Sequence, residues 1–169
     1  MTKVINLFGG AGVGKSTLSS EIFAKLKKKG ASVELVTEYA KDLVYDNNNA
    51  ILDDQFVIFA EQNHRLIRLE NKVDYIVTDS PLLLSFIYDK TDNFTFRRLV
   101  TMTFNEYLNI NYLLRRTVDY MPNGRLQTEA EAKEFDDIIH KALDLYDIPY
   151  TEIAVDELTA DTIIAGLDI

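Results

Sequence analysis

Residues 9–17 read Gly9-Gly10-Ala11-Gly12-Val13-Gly14-Lys15-Ser16-Thr17, with Gly9, Gly14, Lys15 and Ser16 at the fixed places of the G-x-x-x-x-G-K-[ST] phosphate-binding loop. The motif carries its chemistry only between a strand and a helix. Both are present: Lys3-Val4-Ile5-Asn6-Leu7-Phe8 is a short β-prone run, and the chain from Leu18 onward is helix-forming. Glycines let the backbone curl so that successive N–H groups face one anion, and the following helix adds the positive end of its dipole. On this reading Gly10, Ala11, Gly12, Val13, Gly14, Lys15, Ser16 and Thr17 cradle a nucleotide phosphate. Lys15 reaches the β- and γ-phosphates, Ser16 holds Mg²⁺ and Thr17 begins the helix.

The chain around this loop has 169 residues, of which 47% are hydrophobic, enough for one compact core, and we expect one domain over 1–169. Its 18 basic and 27 acidic residues give a formal net charge of -9, so a long polyanion such as DNA would need a local basic groove. The absence of cysteine excludes disulfides, thiolate catalysis and cysteine-ligated zinc, and it suits a reducing compartment. No leader pattern and no run of membrane-spanning length stand out, so a soluble, cytoplasmic protein without a membrane partner is expected.

Working outward from the loop, strand and helix patterns alternate. Residues 16–29 carry Leu18, Ile22 and Leu26 on one helical face and end in Lys25, Lys27, Lys28 and Lys29 before Gly30, which reads as a solvated, dipole-matched helix end. Residues 32–37 form a second strand, and Asp53 or Asp54 caps a helix running to about Asn71. Tyr75-Ile76-Val77-Thr78 is a third strand leading into Asp79-Ser80-Pro81. A helix is expected over 94–108, a fourth strand over 110–114 and a capping box at Thr128 and Glu131 opening a helix to about Tyr146. A last strand over 150–155 and a closing helix over 156–167 complete the pattern. Five strands separated by helices imply a three-layer α/β fold with a parallel sheet, in which ligands sit at the carboxyl ends of the strands. Glu38, Asp79 and Arg115 all fall just past strand ends and are expected to meet the loop there.

These residues resemble the P-loop nucleoside and nucleotide kinases. More narrowly they are similar to small phage-encoded kinases related to the nicotinamide-riboside kinase domain of bacterial NAD-biosynthesis regulators. The resemblance rests on residues 9–17, on Thr37-Glu38-Tyr39-Ala40, on Asp79-Ser80-Pro81 and on a lid-like region with Arg115-Arg116 and Gly124-Arg125. It implies a P-loop NTPase fold with strand order 2-3-1-4-5, and phosphoryl transfer from ATP with Mg²⁺ to a nucleoside or nucleotide. A related phage type acts on 5-hydroxymethyl-deoxyuridine within DNA, which makes DNA modification a candidate and the host cytoplasm the location for a phage-encoded chain.

Individual roles follow. Asp79, after an apolar strand, is placed to serve Mg²⁺ or to accept a proton from the attacking hydroxyl. Glu38 stands where hydroxyl-directed kinases of this type carry their base. Arg115, Arg116 and Arg125 flank a polar stretch and are expected to stabilise the phosphoryl group in transit. Gln55, Gln62, Asn63 and Arg65 lie on the second long helix, which in the kinases this chain resembles borders the acceptor site; surface exposure is the favoured reading of each, and His64 is read as structural. Arg97 and Arg98 with Phe94, Phe96 and Phe104 form either a basic aromatic groove or a packed helix with solvated arginines, the second being favoured. A hydrolysing ATPase is the competing class, although it wants an acidic pair where Asp79 is followed by Ser80 and Pro81. A GTPase is disfavoured because no Asn-Lys-x-Asp motif follows the fourth strand, and a non-catalytic nucleotide-binding regulator completes the alternatives.

Overall fold

The structure, a computed structural model, describes residues 1–117 and 128–169. Five strands, β1 (Lys3–Phe8), β2 (Val33–Val36), β3 (Tyr75–Thr78), β4 (Leu108–Arg115) and β5 (Thr151–Ala154), form one sheet in the order β2-β3-β1-β4-β5. Every pairing is parallel, with Asn6 beside Thr78, Val36 beside Thr78, Phe8 beside Leu113 and Arg115 beside Ala154. The sheet order and the parallel α/β architecture are those expected from the sequence.

Strand alternation divides the core into two layers. On β1, Val4 and Phe8 enter one apolar cluster with Val36, Ile76 and Leu113, while Ile5 and Leu7 enter the other with Val77 and Leu114. Helices α1 (Lys15–Lys28) and α8 (Thr159–Ala165) cover the second layer through Leu18, Ile22, Leu26, Ala160, Ile163 and Ile164. The first layer is covered by α4 (Gln55–Ile67), α5 (Leu84–Tyr88), α6 (Phe94–Asn105) and α7 (Glu129–Leu145). Asn6, between Val4 and Phe8, is buried, and its amide donates to Asn109 Oδ1 at 2.8 Å and Asn111 Oδ1 at 2.9 Å, so the polar break in β1 is satisfied across the sheet.

Several boundaries move for identifiable reasons. Between β2 and α4 the chain forms two helices absent from the sequence reading, α2 (Tyr39–Tyr45) and α3 (Asn49–Leu52); they bury only Leu43, so no apolar period marks them. Asp54 is the cap of α4, accepting from Phe56 N and Val57 N. Helix α6 stops at Asn105 because Asn109 turns back to donate to Phe104 O and Tyr107 O, freeing Leu108 and Asn109 to join β4. The lysines closing α1 are a solvated end: Lys25 pairs with Asp161 at 2.8 Å and Glu21 at 2.9 Å, and Lys27 pairs with Glu34 at 2.9 Å. The capping box is present at Thr128 and Glu131. Among the described residues, no helix is long and apolar enough to cross a membrane.

Candidate active site

The connection from β1 to α1 is the glycine-rich loop. Gly12 and Gly14 take φ angles of 80° and 102°, a region that costs a side-chain-bearing residue energy, and Gly14 is the N-cap of α1. No side chain caps this helix and no acidic residue sits in its first turn, so its first N–H groups are left for an external anion. The helix begins at Lys15, earlier than the Thr17 start read from the sequence, and exposes Ser16 and Thr17 in its first turn. Lys15 Nζ donates to Gly9 O at 2.6 Å and Gly10 O at 2.9 Å, which holds the ammonium across the mouth of the loop. Burial lowers the Lys15 pKa from its ordinary value, opposed by Glu38, Asp79 and Asp136 and reinforced by Arg116.

The edge formed by the carboxyl ends of β2 and β3 supplies two carboxylates. Glu38 is half-buried in an extended conformation as the N-cap of α2, and Asp79, just past β3, is 4% exposed. Burial raises both pKa values. For Glu38, Asp79 adds to the rise while Lys15 and Lys41 oppose it. For Asp79, Lys15, Lys41 and the backbone amides of Asp79 and Glu38 hold the rise in check. Asp79 Oδ1 is buried with no hydrogen-bond partner among the described residues. Buried acceptors are normally satisfied, so the orphaned oxygen fits a cation or a hydroxyl donor arriving with ligand.

Glu38 is set in place from α4. Gln62, 1% exposed, donates through Nε2 to Thr37 O at 3.2 Å and accepts from Tyr39 N at 3.1 Å, so one buried amide grips both neighbours of Glu38. Arg65 also donates to Thr37 O, at 3.3 Å, pairs with Asp42 at 2.9 Å and lies over the Tyr39 ring at 5.1 Å. The surface reading of Gln62 is therefore wrong: it occupies the buried stripe of α4 with Ile58, Phe59 and Leu66. His64 is exposed on the same helix.

The two adjacent arginines after β4 diverge. Arg115 is turned to the sheet edge, where it pairs with Glu152 of β5 at 2.9 Å with 65% of its side chain exposed. It is not brought to the loop. Arg116 has only 10% of its side chain exposed; its Nη2 donates to Ala11 O at 3.0 Å and to Asp136 Oδ2 at 3.0 Å, and its buried Nη1 has no partner among the described residues. Arg125 lies outside the described residues. Asp136 of α7, which the sequence reading did not single out, completes the site by accepting from Gly10 N at 2.5 Å. Its signal is its position: it shares a helical face with buried Ala132, Ile139 and Leu143, where a carboxylate needs a partner.

Of the arginine and aromatic groove considered on α6, Phe94, Arg97 and Arg98 line a concavity together with Met102 and Tyr146. Phe96 and Phe104 are core residues, Arg97 is paired with Asp92, and of the three rings only Phe94 is exposed.

A glycine-rich loop with its lysine, an ion-paired arginine at its rim and two carboxylates beside it, on a 2-3-1-4-5 parallel sheet, is the arrangement of a P-loop nucleotide-binding protein. A family model described as an AAA domain matches residues 4–159, and the chain belongs to that family. Among solved structures it is similar to a NadR protein in complex with NR, at a TM-score of 0.74 and 17% identity, covering 99% of this chain and 53% of that one. The chain thus spans about half the length of that relative. It is also similar to a deoxyadenosine kinase from M. mycoides with bound dATP, at 0.62 and 20%, covering 95% and 96% of the two chains. A thymidylate kinase from Ehrlichia chaffeensis follows at 0.63 and 12%, covering 97% of each. At these identities the likeness establishes the fold, which is that of the P-loop kinases. No curated protein matches the sequence.

Proposed function

We propose that the chain is a kinase that transfers the terminal phosphoryl group of ATP to a hydroxyl of a small nucleoside-type acceptor. The observation that carries this reading is the convergence of half-buried Glu38 and buried Asp79 at the strand ends beside the loop, where the Lys15 charge opposes the burial-driven rise of both pKa values. In the transfer, the acceptor oxygen forms a bond to the γ-phosphorus as the bond to the bridging oxygen breaks. The electron pair leaves with the nucleoside diphosphate, and the hydroxyl proton passes to Glu38, whose carboxylate burial makes more basic than an exposed one. Lys15 and the first N–H groups of α1 hold the β- and γ-phosphates, and Arg116 offers its Nη1, which has no partner among the described residues, to the charge that develops on the phosphoryl oxygens. Ser16 and Asp79 are the residues that would hold Mg²⁺, an assignment supported by the orphaned Asp79 Oδ1. When bound, the ion neutralises charge on the phosphate oxygens.

The likeness to a deoxyadenosine kinase, to a thymidylate kinase and to a NadR protein in complex with NR supports an acceptor of this class. A small acceptor is favoured over DNA by the net charge of -9 and by the pairing of Arg97 with Asp92. The test is γ-labelled ATP offered with separate panels of nucleosides, nucleoside monophosphates, nicotinamide riboside and 5-hydroxymethyluracil DNA. Label is expected on a small nucleoside, with little dependence on salt. Steeply salt-sensitive labelling of DNA alone would replace the small acceptor by a polymer, since binding through several phosphates releases counterions. Release of inorganic phosphate with no acceptor labelled would make the chain an ATP hydrolase.

A further inference from the structure

We infer that Asp136 of α7 is a positioning residue for phosphoryl transfer, bridging the phosphate loop to Arg116 so that the guanidinium is fixed at the rim of the loop. This inference rests on the nucleotide-binding reading above but not on the identity of the acceptor. Three observations converge on it. The backbones of loop and helix are in direct contact: a Cβ added to Gly10 would lie 2.6 Å from Ala132 O and 2.7 Å from Asp136 Oδ1, so only glycine fits there. The two oxygens of Asp136 are divided between two tasks. Oδ1 accepts from Gly10 N at 2.5 Å, while Oδ2 accepts from Arg116 Nη2 at 3.0 Å and Nε at 3.3 Å. The third observation is what remains unbonded. Arg116, nine-tenths buried and further tied to Ala11 O, keeps Nη1 without a partner among the described residues.

A guanidinium offers five donors in a rigid plane, so fixing one edge fixes where the other points. Here the Nε and Nη2 edge is held by Asp136 and the loop carbonyl, which leaves Nη1 as the group whose direction Asp136 sets. Charge balance works the same way. Lys15 and Arg116 are two cations near one loop, and Arg116 pushes the Lys15 pKa down, an effect that Asp136 opposes. Asp136 itself touches neither nucleotide nor acceptor in this scheme; it acts through Arg116.

A double-mutant cycle tests this, read as ADP formation with the ATP KM and the thermal unfolding temperature measured alongside. Asp136→Asn keeps an acceptor for Gly10 N–H but turns an amide NH₂ toward the guanidinium. It is expected to lower kcat about tenfold or more with the ATP KM within about twofold. In an Arg116→Ala background the same substitution is expected to change kcat by less than about twofold, because the residue it works through is gone. An undiminished loss in that background, or unchanged kcat in the single variant, would overturn the inference. Should Asp136→Asn not fold, Asp136→Glu keeps the charge, displaces the carboxylate and runs the same cycle. ADP formation is read whatever the acceptor is, so transfer to water alone would remove the kinase reading and leave the cycle interpretable.

Discussion

The donor side and the acceptor side of the site are built by different means. The donor side is made of backbone: loop glycines at positive φ, the uncapped first turn of α1, and a lysine bonded to the carbonyls of its own loop. Its parts lie within a few residues of one another. The acceptor side is made of side chains gathered from distant segments, with Glu38 after β2, Asp79 after β3 and Gln62 reaching in from α4. On the proposed reading, local geometry secures phosphate binding, whereas tertiary packing secures the position of the base. Damage to either side should leave a distinct kinetic trace.

The sharpest separation comes from Glu38→Gln. If Glu38 takes the acceptor proton, kcat falls by about 10²- to 10⁴-fold while ATP and Mg²⁺ bind with ordinary affinity. Loss of Mg²⁺ affinity in this variant, measured by titration of the ATP-bound protein, would exchange the roles of Glu38 and Asp79. Lys15→Ala is the counterpart on the donor side. Removing one preorganised charge from the phosphates costs about 10²- to 10³-fold in turnover, with acceptor binding unaffected. Near-normal turnover would break the assignment of the loop.

The two sides also differed in how far the sequence disclosed them. The loop was legible because its chemistry depends on residue types at fixed short spacings, and the strands were legible because β3 and β1 are rich in β-prone apolar residues and buried along nearly their whole length. Order in the sheet came through resemblance. Gln62 and Asp136 escaped because each is a polar residue in an apolar helical stripe, and its function depends on what the opposing segment presents: the Thr37 and Tyr39 backbone for one, Gly10 and Arg116 for the other. Arg115 and Arg116 looked equivalent as a dipeptide. Where β4 ends separates them, leaving the first on the strand facing Glu152 and the second beyond it against the loop. Helices α2 and α3 were missed because they bury too little to leave a pattern.

Gln62→Leu sharpens the comparison with a smaller effect. The substitution keeps bulk on α4 but strips partners from Tyr39 N and Thr37 O, and Arg65 still serves the second of these. One buried N–H left unsatisfied costs about 1–3 kcal/mol of stability. Displacement of Glu38 is expected to lower kcat by about tenfold to a hundredfold, with the ATP KM unchanged. An equal loss in donor affinity would show that the two sides are one mechanical unit.

The smallest effect concerns stability without ligand and has the opposite sign to the kinetic ones. Burial raises the folded-state pKa of Glu38 above that of an ordinary glutamate. Between those two values the folded chain retains a proton that the unfolded chain has released, so stability falls as pH rises through the window. Below the ordinary value Glu38 is neutral in both states and costs nothing; above the raised value its full cost is present. Glu38→Gln removes that cost. The unfolding temperature of the variant, relative to the native chain, is therefore expected to climb from about pH 4 upward and then level off. A difference that stays flat over that range, or one that turns against the variant at high pH, would mean that Lys15 and Lys41 stabilise the carboxylate more than burial destabilises it, and Glu38 would be a structural ion-pair partner rather than a base held ready for the acceptor.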